Sequence, residues 1–428
     1  MAFPRPVAIV ASNRIPFAKS NTAYFGVSNQ QMLSAAIQGL VDKTDLKGQV
    51  VGELVAGAVM KHSRDFNLAR ESLLDTSLSA VTPCVDMQQA CGTGLQALFS
   101  VANKIALGQI ESGIAAGSDT TSDAPIAVSD KFRNLLLNLN RSKTTGEKLK
   151  AVSKFRPSFL LPSLPRNGEP RTGLSMGGHT EITAKTWQIP RQAQDEMACL
   201  SHQNLAKAYD SGFMSDLISP FMGLEKDNLL RSETTLDKLA KLSPAFDKNN
   251  GTLSAGNSSA LTDGASAVLL ASEEWAKERG LPILAYITDF ETSAVDFIGK
   301  DSAYKEGLLL APAYAVPKML KRNNLALQDF DFYEIHEAFA AQVLATLKVW
   351  NDSSFCQEHL GLSGSLGEID RAKLNVNGSS LATGHPFAAT GGRIVGTLAK
   401  LLNENGSGRG LISICAAGGQ GVVAILER

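Results

Sequence analysis

Twice in this chain, about 300 residues apart, a turn of small residues opens a helix that runs into a buried strand. The first copy begins at Ala90-Cys91-Gly92-Thr93-Gly94 and ends in Ile114-Ala115-Ala116-Gly117. The second begins at Ala389-Thr390-Gly391-Gly392 and ends in Cys415-Ala416-Ala417-Gly418. No other feature constrains the fold as much, because a strand–helix–strand unit must lay its helix across a sheet. The pattern continues on either side. Val7 to Ala11, Leu54 to Val59 and Gly113 to Ala116 are expected as buried strands, with a helix over Leu95 to Leu107. Phe332 to Ile335 reads as a strand feeding a helix over Glu337 to Val349. A Gly-rich turn at Asn375 to Gly378 then precedes a helix over Gly391 to Leu402 and a strand over Leu411 to Cys415. The expected class is α/β, with helices covering a central sheet. Two duplicated halves facing each other account for the repeat. Shared grammar alone accounts for it too, since the identity between the copies is thin.

Composition narrows what such a fold is for. The 428 residues carry 41 basic and 42 acidic side chains, a net charge of -1, and 44% are hydrophobic. That excludes global disorder and gives no charge-based case for nucleic acid. At ~100–200 residues per domain, two or three domains are expected. No apolar run reaches the ~18 residues that span a bilayer. The first residues hold only a short apolar stretch before Asn13 and Arg14, so no signal peptide is read there. Five cysteines (Cys84, Cys91, Cys199, Cys356 and Cys415) are an odd number without zinc spacing, which suits a reduced, cytoplasmic setting. One segment departs from the average. Residues 131–166 carry nine basic side chains and one acid, Glu147, a local excess of +8. Leu135, Leu136, Leu137, Leu139, Leu149, Val152 and Phe155 are interleaved, and Pro157, Pro162 and Pro165 close the segment. It reads as an insertion outside the sheet. Two readings stand: a solvated basic helix pair, or a docking face for anionic lipid or an acidic partner.

Chemistry concentrates at strand ends, where open α/β sheets bind ligands. Cys91 follows the strand-like run Pro83 to Gln89 and opens a helix near Gly94. Free N–H groups of a helix N-terminus favour thiolate over thiol and can hold an oxyanion, so a lowered thiol pKa is expected. An isolated cysteine is more often a buried structural one, and local context leaves both readings open. His385 is gripped between Gly384 and Pro386 on a loop, and His336 ends a strand. Cys415 also ends a strand, entering the small-residue run Ala416-Ala417-Gly418-Gly419-Gln420-Gly421. Two thiols and two imidazoles suit acyl-thioester chemistry: one thiol attacks, the other exchanges a proton, and the imidazoles carry developing negative charge. Cys84, Cys199 and Cys356 lack such settings and are assigned to structure.

Gln89-Ala90-Cys91-Gly92-Thr93-Gly94, His336-Glu337-Ala338-Phe339-Ala340, Gly384-His385-Pro386 and Cys415-Ala416-Ala417-Gly418-Gly419-Gln420-Gly421 together resemble the four active-site motifs of the thiolases, in the family's order and over the whole chain. The resemblance implies two βαβαβαββ halves in a five-layer α-β-α-β-α sandwich with an inserted loop domain. The N-terminal half is expected at 1–120 with a return at 256–280, the loop domain at 121–255, and the C-terminal half at 281–428. It also implies Cys91 as nucleophile, His385 as activator and oxyanion partner, Cys415 as general acid/base, and His336 holding a water at the oxyanion. The N–H groups of Cys91 and Ala417 would form an oxyanion hole. For coenzyme A, Ser259 in Ser254-Ala255-Gly256-Asn257-Ser258-Ser259 matches the pantetheine contact, while Arg231 and Phe246 match positions near adenine and pantetheine. Met176 matches the methionine lining the acyl pocket.

Two departures from the family pattern stand out. His336 replaces an asparagine common among thiolases, and this His-Glu-Ala-Phe form resembles the β-subunit of the fatty-acid β-oxidation trifunctional complex. Cys-Ala-Ala-Gly replaces Cys-X-Gly-Gly, which leaves a backbone donor but adds a Cβ to the pocket. The implied activity is that of an acetyl-CoA C-acyltransferase, or 3-ketoacyl-CoA thiolase, working in degradation. CoA and acyl-CoA would be substrates, with no metal or redox cofactor. A homodimer or tetramer is implied, with a β-oxidation α-subunit as a further partner and peripheral membrane contact through 131–166. The near alternative is acetyl-CoA acetyltransferase, the same site run toward acetoacetyl-CoA. A ketoacyl synthase has no second catalytic cysteine, so Cys415 argues against it. A non-catalytic thioester-binding scaffold is disfavoured by the complete constellation.

Overall fold

The computed structural model describes residues 4–166, 168–298 and 307–428. The first half runs β1 (Val7–Arg14), α1 (Asn29–Thr44), β2 (Glu53–Ala56), α2 (Leu68–Leu74), β3 (Cys84–Asp86), α3 (Thr93–Ala106) and β4 (Ser112–Asp119). An inserted region follows with α4 (Asp130–Arg141), α5 (Thr145–Val152), α6 (Met176–Thr186) and α7 (Arg191–Asp210), before β5 (Thr262–Ser272) rejoins the sheet. The second half runs β6 (Ala285–Ala294), α8 (Pro312–Asn323), β7 (Phe332–Ile335), α9 (Ala340–Asn351), α10 (Thr390–Asn405), β8 (Arg409–Ala416) and β9 (Gln420–Glu427).

The strands lie in the order β7-β8-β9-β6-β1-β5-β4-β2-β3. Read outward from the centre, the two halves repeat. β1 pairs antiparallel with β5, β5 with β4, and β4 runs parallel to β2. Likewise β6 pairs antiparallel with β9, β9 with β8, and β8 runs parallel to β7. The half-sheets join where Val7, Ala8 and Ile9 meet Ile287, Tyr286 and Ala285. This shared pattern is what a duplication produces. One strand differs. The counterpart of β3 in the second half is reduced to a single bridge between Tyr333 and Leu374. Asn375 explains why: its side-chain amide takes both the N–H and the carbonyl of Ile335, the groups a neighbouring strand would have paired.

The packing gives the five layers expected. Leu33, Ile37 and Leu40 of α1 and Leu68 and Leu73 of α2 cover the outer face of the first half-sheet. Val316 and Met319 of α8 and Val343 and Leu347 of α9 cover the outer face of the second. Between the half-sheets lie α3 and α10, through Leu95, Leu98, Phe99, Ile394 and Leu398. These central helices touch backbone to backbone. A Cβ on Gly94 would sit 2.4 Å from the Ala388 carbonyl oxygen, and one on Gly391 would sit 2.3 Å from the Leu95 nitrogen. The inserted region is clamped to β1 by a buried pair. Arg14 donates to both oxygens of Asp227 at 2.6 and 2.7 Å, and the Phe17 N–H and Tyr209 hydroxyl also donate to that carboxylate.

The basic segment forms the helix pair α4–α5, held by edge contacts of Phe155 with Phe132 and Phe159 and by buried Leu135. Leu136, Leu137, Leu149, Val152, Leu160 and Leu161 remain exposed.

Candidate active site

Cys91 sits on a strained turn. Ala90 adopts φ +46°, a conformation that L-residues rarely take, between β3 and α3. The turn is closed by Gly92 N–H to the Gln89 carbonyl at 2.9 Å and Thr93 N–H to the Ala90 carbonyl at 3.1 Å. Thr93 locks it further, its hydroxyl donating to Ala90 and accepting from the Gln89 N–H. The Cys91 sulfur is left facing the N–H groups of Ala417 and of Cys91 itself. Its thiol is not acidified, contrary to expectation. Burial pushes it up to about 12 and Asp119 adds to the rise, against the lowering by those two N–H groups. The physical reason is visible in the turn. The Gly92 and Thr93 N–H groups that were to favour a thiolate are spent on carbonyls. His385 brings no positive charge either, because burial and then Arg393 lower its pKa to about 3.

His385 is fixed by its loop. Gly384 at φ +92° packs so closely on Thr262 that a Cβ would lie 2.4 Å from its methyl. The His385 N–H donates to Thr262 Oγ1 at 2.6 Å, and Ala388 N–H donates to Asp119 at 2.8 Å. The ring nitrogen Nδ1 lies 2.6 Å from Thr390 Oγ1, while Nε2 is buried and unpartnered. His336 stands beside it with ring centroids 4.1 Å apart. Its Nδ1 lies 2.8 Å from Ser380 Oγ, and its Nε2 is likewise buried and unpartnered. Burial first, then His385 and Arg393, hold His336 well below the ordinary histidine range. Both imidazoles are therefore neutral at physiological pH.

Cys415 ends β8, 2% exposed, with its thiol raised by burial and by the nearby Cys91. The chain then reverses at Ala417-Gly418-Gly419, where Gly418 and Gly419 take φ +79° and +70°. Ala417 stays outside that left-handed region, so its Cβ is tolerated and its N–H still reaches the Cys91 sulfur. The following N–H, of Gly418, donates to Glu169 of the inserted region at 3.2 Å.

Cys91, His385 and Cys415 share a cavity of about 180 Å³ with Met176, Phe246 and Ser259. Leu309, Phe339 and Phe387 make it largely apolar. A roomier cleft of about 550 Å³ beside Trp350 and Arg371 contains none of these groups. His336 lies behind His385, outside the cavity lining. Arg231 stands apart on the surface, its backbone N–H bonded to His202 Nδ1 at 3.2 Å. Some supporting residues went unassigned in the sequence. Glu337, within a quoted motif, accepts from Asn375, Ser201 and the Leu381 N–H and so anchors the loop behind the histidines. Thr390 lies inside the second copy of the repeat, Ser380 stands four residues before Gly384, and Arg393 carried no signal. Chemically, the arrangement offers a nucleophilic sulfur, two N–H groups for an oxyanion, a second thiol for a proton and two neutral imidazoles for an enolate.

Fold and site together define an acyl-transferring enzyme built from two duplicated α/β halves. Residues 7–274 match the thiolase N-terminal domain and 281–428 the thiolase C-terminal domain, and the chain belongs to the thiolase family. It is 41% identical over 427 residues to a 3-ketoacyl-CoA thiolase of Pectobacterium carotovorum, covering 98% of this chain and 96% of that one. The same identity and coverage relate it to a 3-ketoacyl-CoA thiolase of Yersinia enterocolitica. Among solved structures, it superposes on the Bacillus anthracis acetyl-CoA acetyltransferase with a TM-score of 0.81 at 30% identity, covering 99% of this chain and 98% of that one. It superposes on human mitochondrial 3-ketoacyl-CoA thiolase in complex with CoA with a TM-score of 0.79 at 28% identity, covering 100% and 99%.

Proposed function

We propose that this chain is a degradative 3-ketoacyl-CoA thiolase of fatty-acid β-oxidation, cleaving 3-ketoacyl-CoA with CoA to acetyl-CoA and a shortened acyl-CoA. The observation that carries the reading is the convergence of Cys91, Cys415 and His385 on one apolar cavity, with the Ala417 N–H aimed at the Cys91 sulfur. Because the Cys91 thiol rests protonated, its proton must leave as it attacks the 3-keto carbon. Nε2 of His385, neutral and without a partner, is the acceptor. The oxygen of the attacked carbonyl becomes an oxyanion between the Cys91 and Ala417 N–H groups. Carbon–carbon cleavage leaves Cys91 acylated and expels the enolate of acetyl-CoA. The protonated His385, with a water held by His336, stabilises the enolate oxygen, and Cys415 delivers the proton to carbon. Free CoA then gives its thiol proton to Cys415 and takes the acyl group, and the departing Cys91 sulfur recovers its proton from His385. Met176 and Phe246 flank the acyl and pantetheine path, Ser259 contacts pantetheine, and Arg231 lies toward the nucleotide.

Residues 1–120 with 256–280 serve as the N-terminal half, 121–255 as the loop domain and 281–428 as the C-terminal half. A cytoplasmic homodimer or tetramer is the proposed working form, with a β-oxidation α-subunit as a further partner. No helix among the described residues is long and apolar enough to cross a membrane. The exposed leucines among the lysines of α4–α5 support peripheral docking on anionic lipid. The B. anthracis neighbour favours a second reading, acetyl-CoA acetyltransferase. Thiolysis rates with acetoacetyl-CoA and with a long-chain 3-ketoacyl-CoA separate the two. A higher kcat/KM for the long substrate is expected, and turnover of acetoacetyl-CoA alone would favour the second reading.

A further inference from the structure

We infer that Arg393 and Ser380 decide which ring nitrogen of His336 carries the proton, presenting Nε2–H to the water at the enolate oxygen. This rests on the role given to His336 above. A guanidinium can only donate hydrogen bonds. Arg393 donates to Ser380 Oγ at 2.7 Å and, through its other terminal nitrogen, to Ser379 Oγ at 3.1 Å. Ser380 Oγ also lies 2.8 Å from Nδ1 of His336. A serine hydroxyl has one proton and two lone pairs, so two arrangements fit the distances. In one, Ser380 donates to a bare Nδ1. In the other, Nδ1–H donates to Ser380, whose own proton then lacks an acceptor among the described residues. Ser380 is fully buried, and an unmet buried donor costs about 1–3 kcal/mol. The first arrangement satisfies both the Ser380 hydroxyl and Nδ1. It leaves Nε2 as the protonated nitrogen of a neutral ring, and Nε2 is the atom that lies buried and unpartnered beside His385.

Arg393 suits this task because it gives its hydrogen bonds to the two serines and not to its nearest carboxylate. The Glu334 carboxylate, on β7 two residues before His336, stays 4.0 Å away, beyond hydrogen-bonding distance. Its terminal N–H donors are therefore spent on the two serines, one of which meets the imidazole. Burial first, with the Arg393 cation adding to it, keeps both resting histidines neutral, and only a neutral ring has a tautomer to choose. Ser380 and Arg393 are positioning residues in this scheme, since neither touches the substrate.

Only the enolate needs His336, whereas acyl transfer needs the Cys91 and Ala417 N–H groups. Two reactions of acetyl-CoA divide the cycle along that line. Exchange of its methyl protons in deuterium oxide passes through the enolate, and exchange of its acetyl group onto isotopically labelled CoA passes through acyl-Cys91. Ser380→Ala is expected to slow methyl exchange about 10–100-fold, the scale seen for orienting partners of metal-bound histidines, while acyl exchange stays within about twofold. Ser380→Thr, which keeps a hydroxyl, is expected to restore methyl exchange. In the wild-type protein, the 15N spectrum of labelled histidine, assigned with His336→Asn, should show Nε2 protonated and Nδ1 bare. Equal losses in both exchanges, unchanged methyl exchange, or a protonated Nδ1 would overturn the inference. His336→Ala is the control: if it leaves methyl exchange intact, the enolate role of His336 fails independently of the relay.

Discussion

The sulfur proposed to attack the carbonyl rests as a protonated thiol. With the Cys91 thiol near 12, the thiolate fraction rises about tenfold per pH unit across the accessible range. Alkylation of Cys91 by iodoacetamide should therefore climb steadily from pH 6 to pH 10, and acylation by acyl-CoA should block it. A rate that levels off near neutrality would contradict the burial argument. The paired substitutions separate the thiols. Cys91→Ala should form no acyl-enzyme, whereas Cys415→Ala should form it from an activated acyl-CoA yet turn over about 10²–10⁴-fold slower. Near-normal turnover of Cys415→Ala would remove its proton-transfer role. Cys91, His385 and Cys415 could be singled out in the sequence because each sits beside small residues that mark a tight turn, whereas Met176, Phe246 and Ser259 were named only through the resemblance to the thiolases. Ser380 and Arg393 were reached by neither route. Ser380 meets a histidine 44 residues away, and Arg393 lies in a helix that carries a second basic side chain, Lys400, so nothing marks it out. Periodicity cannot distinguish a buried arginine from a solvated one. Nor could the turn sequence show that the N–H groups beside Cys91 were already engaged.

The α4–α5 pair presents lysines and leucines to solvent together. Lys148, Lys150 and Lys154 are exposed, as are Leu149 and Val152 between them. Reversing the three lysines to glutamate should leave acetoacetyl-CoA thiolysis intact and weaken co-sedimentation with anionic liposomes at low salt. Physiological salt screens such contacts beyond a Debye length of about 8 Å, so the wild-type interaction should weaken as salt rises. Unchanged sedimentation with lost co-purification of an α-subunit would assign the face to that partner. A raised KM for CoA would mean the segment reads nucleotide phosphates instead. The order of strands and helices in the two halves was readable from apolar runs, but several ends were not. β2 stops at Ala56 instead of Val59, because the Val59 and Met60 N–H groups go to the Asp119 carboxylate and Gly57 passes against the Met87 carbonyl. α9 begins at Ala340 instead of Glu337, because Phe339 is extended and Glu337 is committed to the loop behind the histidines. In both cases a side-chain contact from distant sequence overrides the local pattern.

At the level of the whole molecule, the inserted region depends on a buried ion pair as well as on packing. Asp227→Ala would strand the Arg14 guanidinium in the interior, and removing one partner of such a pair costs about 3–5 kcal/mol. Urea unfolding should show that loss, and limited proteolysis should cut the region between β4 and β5 first. A loss under about 1 kcal/mol would show that Arg14 finds another partner or water. The contact between α3 and α10 has a different consequence. Gly94 and Gly391 let the two backbones meet with no side chain between them. The gap between the sulfur contributed by one half and the imidazole loop contributed by the other is thus set by main-chain dimensions. A single methyl group at either glycine would wedge it open. The spacing between the Cys91 sulfur and the His385 loop is thereby exposed to substitution at either glycine.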